Sequence, residues 1–498
     1  MGVIIRQSIK SSIVSYAGVL IGFFNVVFLT THFFSPKQVG ISRVLIENAL
    51  LFTSLAQLGG PFIAVKYFSR FKNHERKHHG LLYFLLMYSS IGVIIFIFIY
   101  IFSKQLFVHF YAANSPELIE FYYYILPLVF FSIYLNIFEA YCQVNERIVV
   151  PTIVREIFLK LSNSVLILLF AINVITFNSY LLFLIATSGI ASVILLIYLK
   201  KLGKLFLKKD FSLLKKSFVR EMTVYGLFIV LGGLGYILAT KIDVLMLPAM
   251  INLQSTGIYV IAIYIATIIE IPKRSISQIA TPILAQALHE NNIDKVDELY
   301  KKTSINQLII GCVFFLAIWC NIDSIFTIMP NSAIYSQGKY VVFFILLARL
   351  IDMASGVNFE IILNSKYFRF GLTSIVILSL LTIGTNLIFI PVFGINGAAF
   401  AASLSILIYT IIKLIYVWIK FRLQPYSQKT GIVLIIAAII YGILQLLPVM
   451  SVNIYGNIAF ILIKSLIISV LFLFFVLRFA VSEDITNLLN IFLKRIKK

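Results

Sequence analysis

Apolar residues run in blocks of roughly 20 along the whole chain, and the polar positions gather between them. A block of that length crosses a ~30 Å hydrocarbon core as one helix. The pattern predicts about 14 transmembrane helices, at 11–33, 44–65, 81–103, 119–141, 150–172, 179–199, 223–248, 257–288, 305–322, 340–363, 371–391, 397–418, 430–449 and 457–479. The eighth is longer than one crossing needs. Because the runs are continuous and do not alternate, they read as helices and not as barrel strands. The fold class expected is an all-α polytopic membrane protein.

Composition agrees: 60% of the 498 residues are hydrophobic, only 12% are charged, and mean hydropathy is +1.00. A soluble domain of this size needs a polar skin that this chain lacks.

Charge sets the orientation. With the N-terminus inside, the inner side holds 30 of the 41 Lys and Arg, from Arg6 and Lys10 onward and counting Arg155 and Arg478 toward inner span ends, whereas the outer loops hold four: Lys37, Arg43, Lys104 and Lys339. That bias predicts a multi-pass membrane protein of fourteen spans with both termini cytoplasmic. The net charge of +21 then belongs to an inner face beside anionic headgroups and calls for no nucleic-acid partner. In "SEDITNLLNIFLKRIKK" (482–498), Ser482 suits an N-cap, and Ile485, Leu488, Leu489 and Phe492 share a face. This reads as a short interfacial helix.

The loops exclude several functions. The longest outer ones, roughly 104–118 and 323–339, hold about fifteen residues, too few for the outer domain of a membrane glycosyltransferase or polymerase. No GxxxxGK[ST] phosphate loop is present, which argues against ATP hydrolysis. Cys142, Cys312 and Cys320 lack metal or disulfide spacing and read as core residues. "HERKHH" (74–79) places His74 and His78 four apart, a spacing open to a metal; the plainer reading is a solvated basic loop. Catalysis is therefore disfavoured for want of a place to do it, and no metal site is expected.

The densest basic connector, residues 201–222, divides the chain into an N-lobe (1–200, helices 1–6), a C-lobe (223–420, helices 7–12), two further helices (421–480) and the tail (481–498). Two pseudo-symmetric six-helix lobes are expected. "PKQVGISRVLIENALL" and "LQSTGIYVIAIYIATI" support a duplication, with Gly40 and Gly257 as counterparts.

Leaving aside Arg155, Arg478 and Glu120 toward the ends of their runs, seven cations (Lys160, Lys241, Lys273, Arg274, Arg349, Lys413, Lys464) and seven acids (Glu47, Glu139, Glu156, Asp243, Glu270, Asp352, Glu360) lie within the runs. Left unpaired in lipid, they would cost on the order of 40 kcal/mol. Most must face one another, water or the surface; Lys413, Glu139 and Glu360 sit near inner ends, where they can snorkel. Arg43 and Glu47 stand one turn apart, as do Arg349 and Asp352, and both pairs suit structural ion pairing as well as function. Glu270, Lys273 and Arg274 share one helix face beside Pro272, which predicts a kink. Broken helices with excess cation suit a phosphate or pyrophosphate.

"KIDVLMLPAMINLQSTGIYVIA" (241–262) resembles a hallmark of the multidrug/oligosaccharidyl-lipid/polysaccharide (MOP) exporter superfamily: an Asp late in the seventh span, then Gly-x-Tyr opening the eighth. Asp243, Gly257 and Tyr259 match it. "IPVFGINGAAFAASLS" (390–405) is similar to that superfamily's turn between spans eleven and twelve, with Gly394, Gly397, Ala398 and Ala399 in place. There Asn396-Gly397 is expected to turn the chain and the small residues to let two helices approach.

Within the superfamily, the chain looks most like the polysaccharide (Wzx-type) flippases. That resemblance implies a MATE-like fold of two lobes around a cleft, alternating access, and an undecaprenyl-diphosphate-linked oligosaccharide as cargo, the repeat unit of O-antigen, capsule or exopolysaccharide. It also implies membrane lipids and the polysaccharide polymerase and export machinery as partners. No cofactor is expected. Coupling to H+ or Na+ stays open, because some relatives use an acid in the first span, where this chain has Asn25. The substrate-contacting candidates are Lys241, Asp243, Glu270, Lys273, Arg274, Arg43, Glu47, Arg349 and Asp352, with Asp243 expected to pair across helices and Lys241 to face the cleft. A MATE-like drug or metabolite antiporter and a non-transporting scaffold are the alternatives.

Overall fold

The structure, a computed structural model, describes residues 2–73, 75–207, 209–210, 212–446 and 453–487. His74, the last residues of the 430–449 run, and Leu488, Leu489 and Phe492 of the expected tail helix lie outside the described residues, as does the side chain of Arg6. Among the described residues every regular element is helical, and twelve helices are long and apolar enough to cross a membrane.

Two features stand beside that count. Phe368–Phe421 is two arms joined at Gly394, whose φ of 59° and ψ of −133° only glycine adopts readily. The arms run antiparallel: Thr385 Oγ1 lies 2.9 Å from Ser405 Oγ, and a Cβ on Gly397 would come within 2.0 Å of the Phe389 carbonyl oxygen. The turn therefore falls at Gly394 and not at the expected Asn396-Gly397, which belongs to the second arm. The small residues act as expected, with Ala398 and Ala399 fully buried. The second feature is the 150–172 run, which forms Val149–Ile153, a π-helical turn over Val154–Phe158, and Leu159–Ala171.

Three expected spans are interrupted. The 44–65 run divides into Pro36–Ala56 and Gly60–Phe71. Leu58 and Gly59 between them have φ of 50° and 76°, and a Cβ on Gly59 would lie 2.6 Å from Gly226 Cα. The 340–363 run breaks at Gly356 (φ 58°) into Lys339–Ala354 and Asn358–Leu363. The 257–288 run narrows to a 3-10 turn at Thr267–Ile269, and Glu270–His289 starts anew. Pro272 sits in that first turn, where a missing N–H costs little, so the irregularity precedes the proline.

By contacts the chain forms two units, Met1–Gly257 and Ile258–Lys498. In the first, Ile125–Val144 packs on Pro36–Ala56, Gly60–Phe71 and Phe177–Lys201, burying Ile63, Val129, Ile133 and Leu195 completely. Lys216–Met250, grouped by sequence with the second lobe, packs here against Pro36–Ala56. Asn25–Thr30 is a second π-helical turn, and Asn25 Nδ2 donates to the Lys160 carbonyl at 2.7 Å while Ser164 Oγ donates to Asn25 Oδ1 at 2.6 Å. These bonds satisfy polar groups that the widened turns of both helices leave in an apolar setting.

In the second unit, Lys339–Ala354 packs on Phe368–Phe421 and on Ile293–Trp319. One core gathers Cys312, Ile440 and Phe472; another gathers Leu284, Tyr300, Ile361 and Val417. Ser482 accepts the backbone N–H of Ile485 at 3.3 Å, which is N-cap geometry. The three cysteines are free thiols.

The basic loop departs from its solvated reading. His78 and His79 are buried at 3% and 8% exposure, because Lys77, His78, His79 and Gly80 all take left-handed backbone that turns the rings inward. His78 packs between Phe68 and Phe206. His79 Nδ1 lies 3.2 Å from Ser212 Oγ and 3.5 Å from Asp210.

Candidate functional site

The first unit holds one part of the expected site. Glu47, on the buried face of Pro36–Ala56, is 2% exposed at its side chain. Its Oε1 meets Arg43 from one turn earlier and Lys241 Nζ, from Lys216–Met250, at 3.3 Å. Oε2 is buried without a hydrogen bond among the described residues. Arg43 and Lys241 are each about a third exposed, so each cation has one side on the carboxylate and another open. Asp243 lies on a different face of the same helix, buried at 5% exposure, with its Oδ1 accepting the Val244 N–H at 2.9 Å.

The second unit gathers the other candidates and one more residue. Glu270, at the start of its helix, where the macrodipole favours an anion, accepts from Arg274 Nη2 at 2.9 Å. Arg349 Nε approaches Glu270 Oε1 to 2.6 Å but lies outside hydrogen-bond alignment, so this contact is mainly Coulombic. Asp352 pairs with Lys273 and, at 3.4 Å, with Lys413. Each carboxylate thus sits between two cations, and Arg349 and Asp352, three residues apart, take separate partners. Two carboxylates against four cations leave this cluster at a net +2. Arg274 is 76% exposed, whereas the others are less than a quarter exposed.

Lys413 corrects an expectation: it does not snorkel. Its side chain is 3% exposed, and the ammonium also lies 4.2 Å from the centre of the Tyr409 ring, a cation–π contact. Sequence depth alone suggested the surface. The available signal was its phase, since Ser405, Tyr409 and Lys413 recur every four residues as a polar stripe. Glu139 is likewise held, by a two-pronged bond from Arg155 at 2.8 and 2.6 Å. Lys160 bonds Glu156 at 2.6 Å. Lys464 is buried, with its ammonium 4.2 Å from the Phe460 ring.

Many apolar crossings, irregular breaks beside buried charge and a cluster with more cations than carboxylates define a polytopic membrane protein. The family model described as "polysaccharide biosynthesis protein" matches residues 4–288, more than half of the chain, and the chain belongs to that family. No curated protein sequence matches it. Among solved structures it is similar to the lipid II flippase MurJ in an inward closed conformation, at 14% identity and a TM-score of 0.72, over 93% of this chain and 98% of that one. It is also similar to an inward-facing multidrug resistance MATE family transporter of the MOP superfamily, at 13% identity and a TM-score of 0.63, over 81% and 94%. A MOP superfamily transporter from Pyrococcus furiosus, whose binding pocket is described as of reverse polarity, matches at 14% identity and a TM-score of 0.55, over 84% and 95%. The fold is that of the MOP superfamily.

Proposed function

We propose that this chain is a flippase that moves a polyprenyl-diphosphate-linked oligosaccharide from the inner to the outer leaflet by alternating access. The observation that carries this reading is the net +2 of the Glu270–Lys273–Arg274–Arg349–Asp352–Lys413 cluster. The two cations in excess of these carboxylates, with Glu360 a further acid acting on Lys413, cost roughly 2.5–3.5 kcal/mol each where neither an acid, water nor a ligand meets them. A doubly negative diphosphate neutralises the excess. Arg274 offers a planar fork for its oxygens, and Lys273 supplies a point charge. Membership of a polysaccharide biosynthesis family and similarity to a lipid II flippase support the lipid-linked cargo. In this reading the two arms around Gly394 and the 149–171 helix are also crossings, which gives fourteen, with both termini cytoplasmic.

The test is deletion of the gene in its host under conditional glycan synthesis, followed by extraction of lipid-linked intermediates. A complete repeat unit accumulating on its carrier at the inner leaflet, cleared by the wild-type gene and not by Arg274→Ala, is expected. Normal intermediates with altered sensitivity to cationic compounds would overturn the reading in favour of an antiporter.

A further inference from the structure

A cavity of about 440 Å³ lies in the first unit, away from every charge pair described above. Phe52 and Leu55 of Pro36–Ala56 form one wall, Ile99 and Tyr100 of Leu81–Phe102 another, and Phe107 and Phe110 of the short Lys104–Tyr111 helix close its end. Its few polar atoms are already engaged. Ser103 Oγ donates to the Ile99 carbonyl at 2.8 Å and Tyr111 to the Leu245 carbonyl at 3.1 Å. Tyr100 and Tyr122, stacked at 4.3 Å, donate to each other's carbonyls. A water there finds no partners, so the space suits hydrocarbon.

The cavity opens laterally, since Leu55, Ile99 and Phe110 on its rim are 38%, 58% and 55% exposed. Its size falls within the range of ligand sites. At roughly 30 Å³ per small group, the volume a water occupies, it holds about fifteen groups. That is one acyl chain and far less than a polyprenyl tail.

Next in sequence to the lining residue Ser103 stands a cation of a particular kind. Lys104 follows Ser103 at the end of Leu81–Phe102 opposite His79, which contacts the 200–220 connector through Ser212. Of the four cations assigned by sequence to that outer side, Lys37 pairs with Glu117 at 2.5 Å, Arg43 with Glu47, and Lys339 with Asp323 at 2.6 Å. Lys104 has no carboxylate partner among the described residues; the Tyr123 ring lies 4.9 Å away. An ammonium without a carboxylate partner, one residue from the lining of a dry, chain-sized slot, is complementary to a phosphate with a hydrocarbon tail.

We propose that this cavity seats one acyl chain of a membrane phospholipid, with its phosphate on Lys104. The bound chain packs behind the Lys104–Tyr111 helix and the turn after it. That segment is clasped to the end of Lys216–Met250 by Tyr111, by Asn114 to the Ala249 carbonyl at 2.7 Å, and by Ser115 to the Pro248 carbonyl at 2.6 Å. The lipid thus supports the helix that carries Lys241 without touching the charge cluster.

The test uses the full chain in phospholipid vesicles containing a phospholipid with a photoactivatable diazirine on one acyl chain. After irradiation, labelled peptides are mapped by mass spectrometry. Residues 52–58 and 95–111 are expected to label in excess of the exposed Leu434–Ile439 face. Leu55→Trp and Ile99→Trp, which fill the slot from opposite walls, should each remove the excess while the protein stays monodisperse. Lys104→Glu should lower it about fivefold, the effect of about 1 kcal/mol per basic residue near a lipid surface. Labelling no denser than on the reference face, or an excess that survives all three variants, would overturn the assignment. Displacement of the label by a polyprenyl phosphate but not by unlabelled phospholipid would overturn it too, by making the occupant a cargo tail.

Discussion

Gly40 and Gly257 meet across one helix crossing, and each faces the carbonyl oxygen of the residue four positions before the other. A Cβ on Gly40 would lie 2.2 Å from the Leu253 oxygen, and one on Gly257 would lie 1.9 Å from the Pro36 oxygen. The two contacts mirror each other, so the crossing is reciprocal. Backbones this close leave room for hydrogen atoms alone.

Gly40→Ala and Gly257→Ala are therefore expected to be destabilising by ~1–3 kcal/mol or more, the scale of core overpacking. The readout is a thermal midpoint in detergent lowered by several degrees. Gly431→Ala, where a Cβ meets nothing within 4 Å, is the matched control and should leave the midpoint unchanged. Equal effects at all three positions would remove the crossing from the account.

The Glu47–Lys241 contact should appear as energetic coupling. Lys241→Met and Glu47→Gln, singly and together, are expected to give a coupling of about 0.5–3 kcal/mol in a double-mutant cycle on stability. Glu47→Gln should cost more than Lys241→Met, because the carboxylate serves Arg43 as well. Simple additivity would mean that this pair does not tie the two helices together.

Asp352→Asn should be the most damaging single change in the second unit. It leaves Lys413, 3% exposed, without its counter-charge, a loss of ~3–5 kcal/mol for a buried pair. Lys413→Met on that background should restore most of the folded yield, measured as monodisperse protein. If the double variant is no better than the single one, the pairing is not what holds this region.

Arg274 should separate transport from folding. It is exposed, and Glu270 keeps Arg349 when Arg274 is removed. Arg274→Ala should therefore leave stability within about 0.5 kcal/mol while cargo transfer falls roughly ten- to hundredfold, the weight of a charge-assisted hydrogen bond. Arg274→Lys, which keeps the charge but loses the fork, should fall between.

The helical class and the positions of the apolar runs were legible because the bilayer imposes length and continuity on each run separately. What was not legible depended on rotation. Arg349 and Asp352 read as partners because they are one turn apart, yet each finds its counter-charge on another helix, and nothing local to Lys339–Ala354 states which neighbour turns toward it. Lys413 was misplaced for the same reason: sequence gives depth, and burial depends on facing. The break at Gly59 did leave a trace in "LGGP", since two glycines and a proline disfavour continuous helix. The inward turn of His78 and His79 left none, because left-handed backbone at non-glycine residues is uncommon and is fixed here by packing on Phe68 and Phe206.

The π-helical turns at Asn25–Thr30 and Val154–Phe158 bear on how this lobe could have changed over its history. Each turn accommodates one residue more than an α-helix holds there, so losing a single residue from either can be absorbed by relaxing to a regular helix. The residues on either side of the turn then keep their facing, because the residue lost is the one that the widened turn had accommodated. A loss falling on Asn25 or Arg155 itself removes its bond to the Lys160 carbonyl or to Glu139, and a loss elsewhere in either turn is confined to that turn. Relatives that differ by one-residue gaps at these two places should therefore share the helices, the glycine crossing and the inward faces on both sides of each turn.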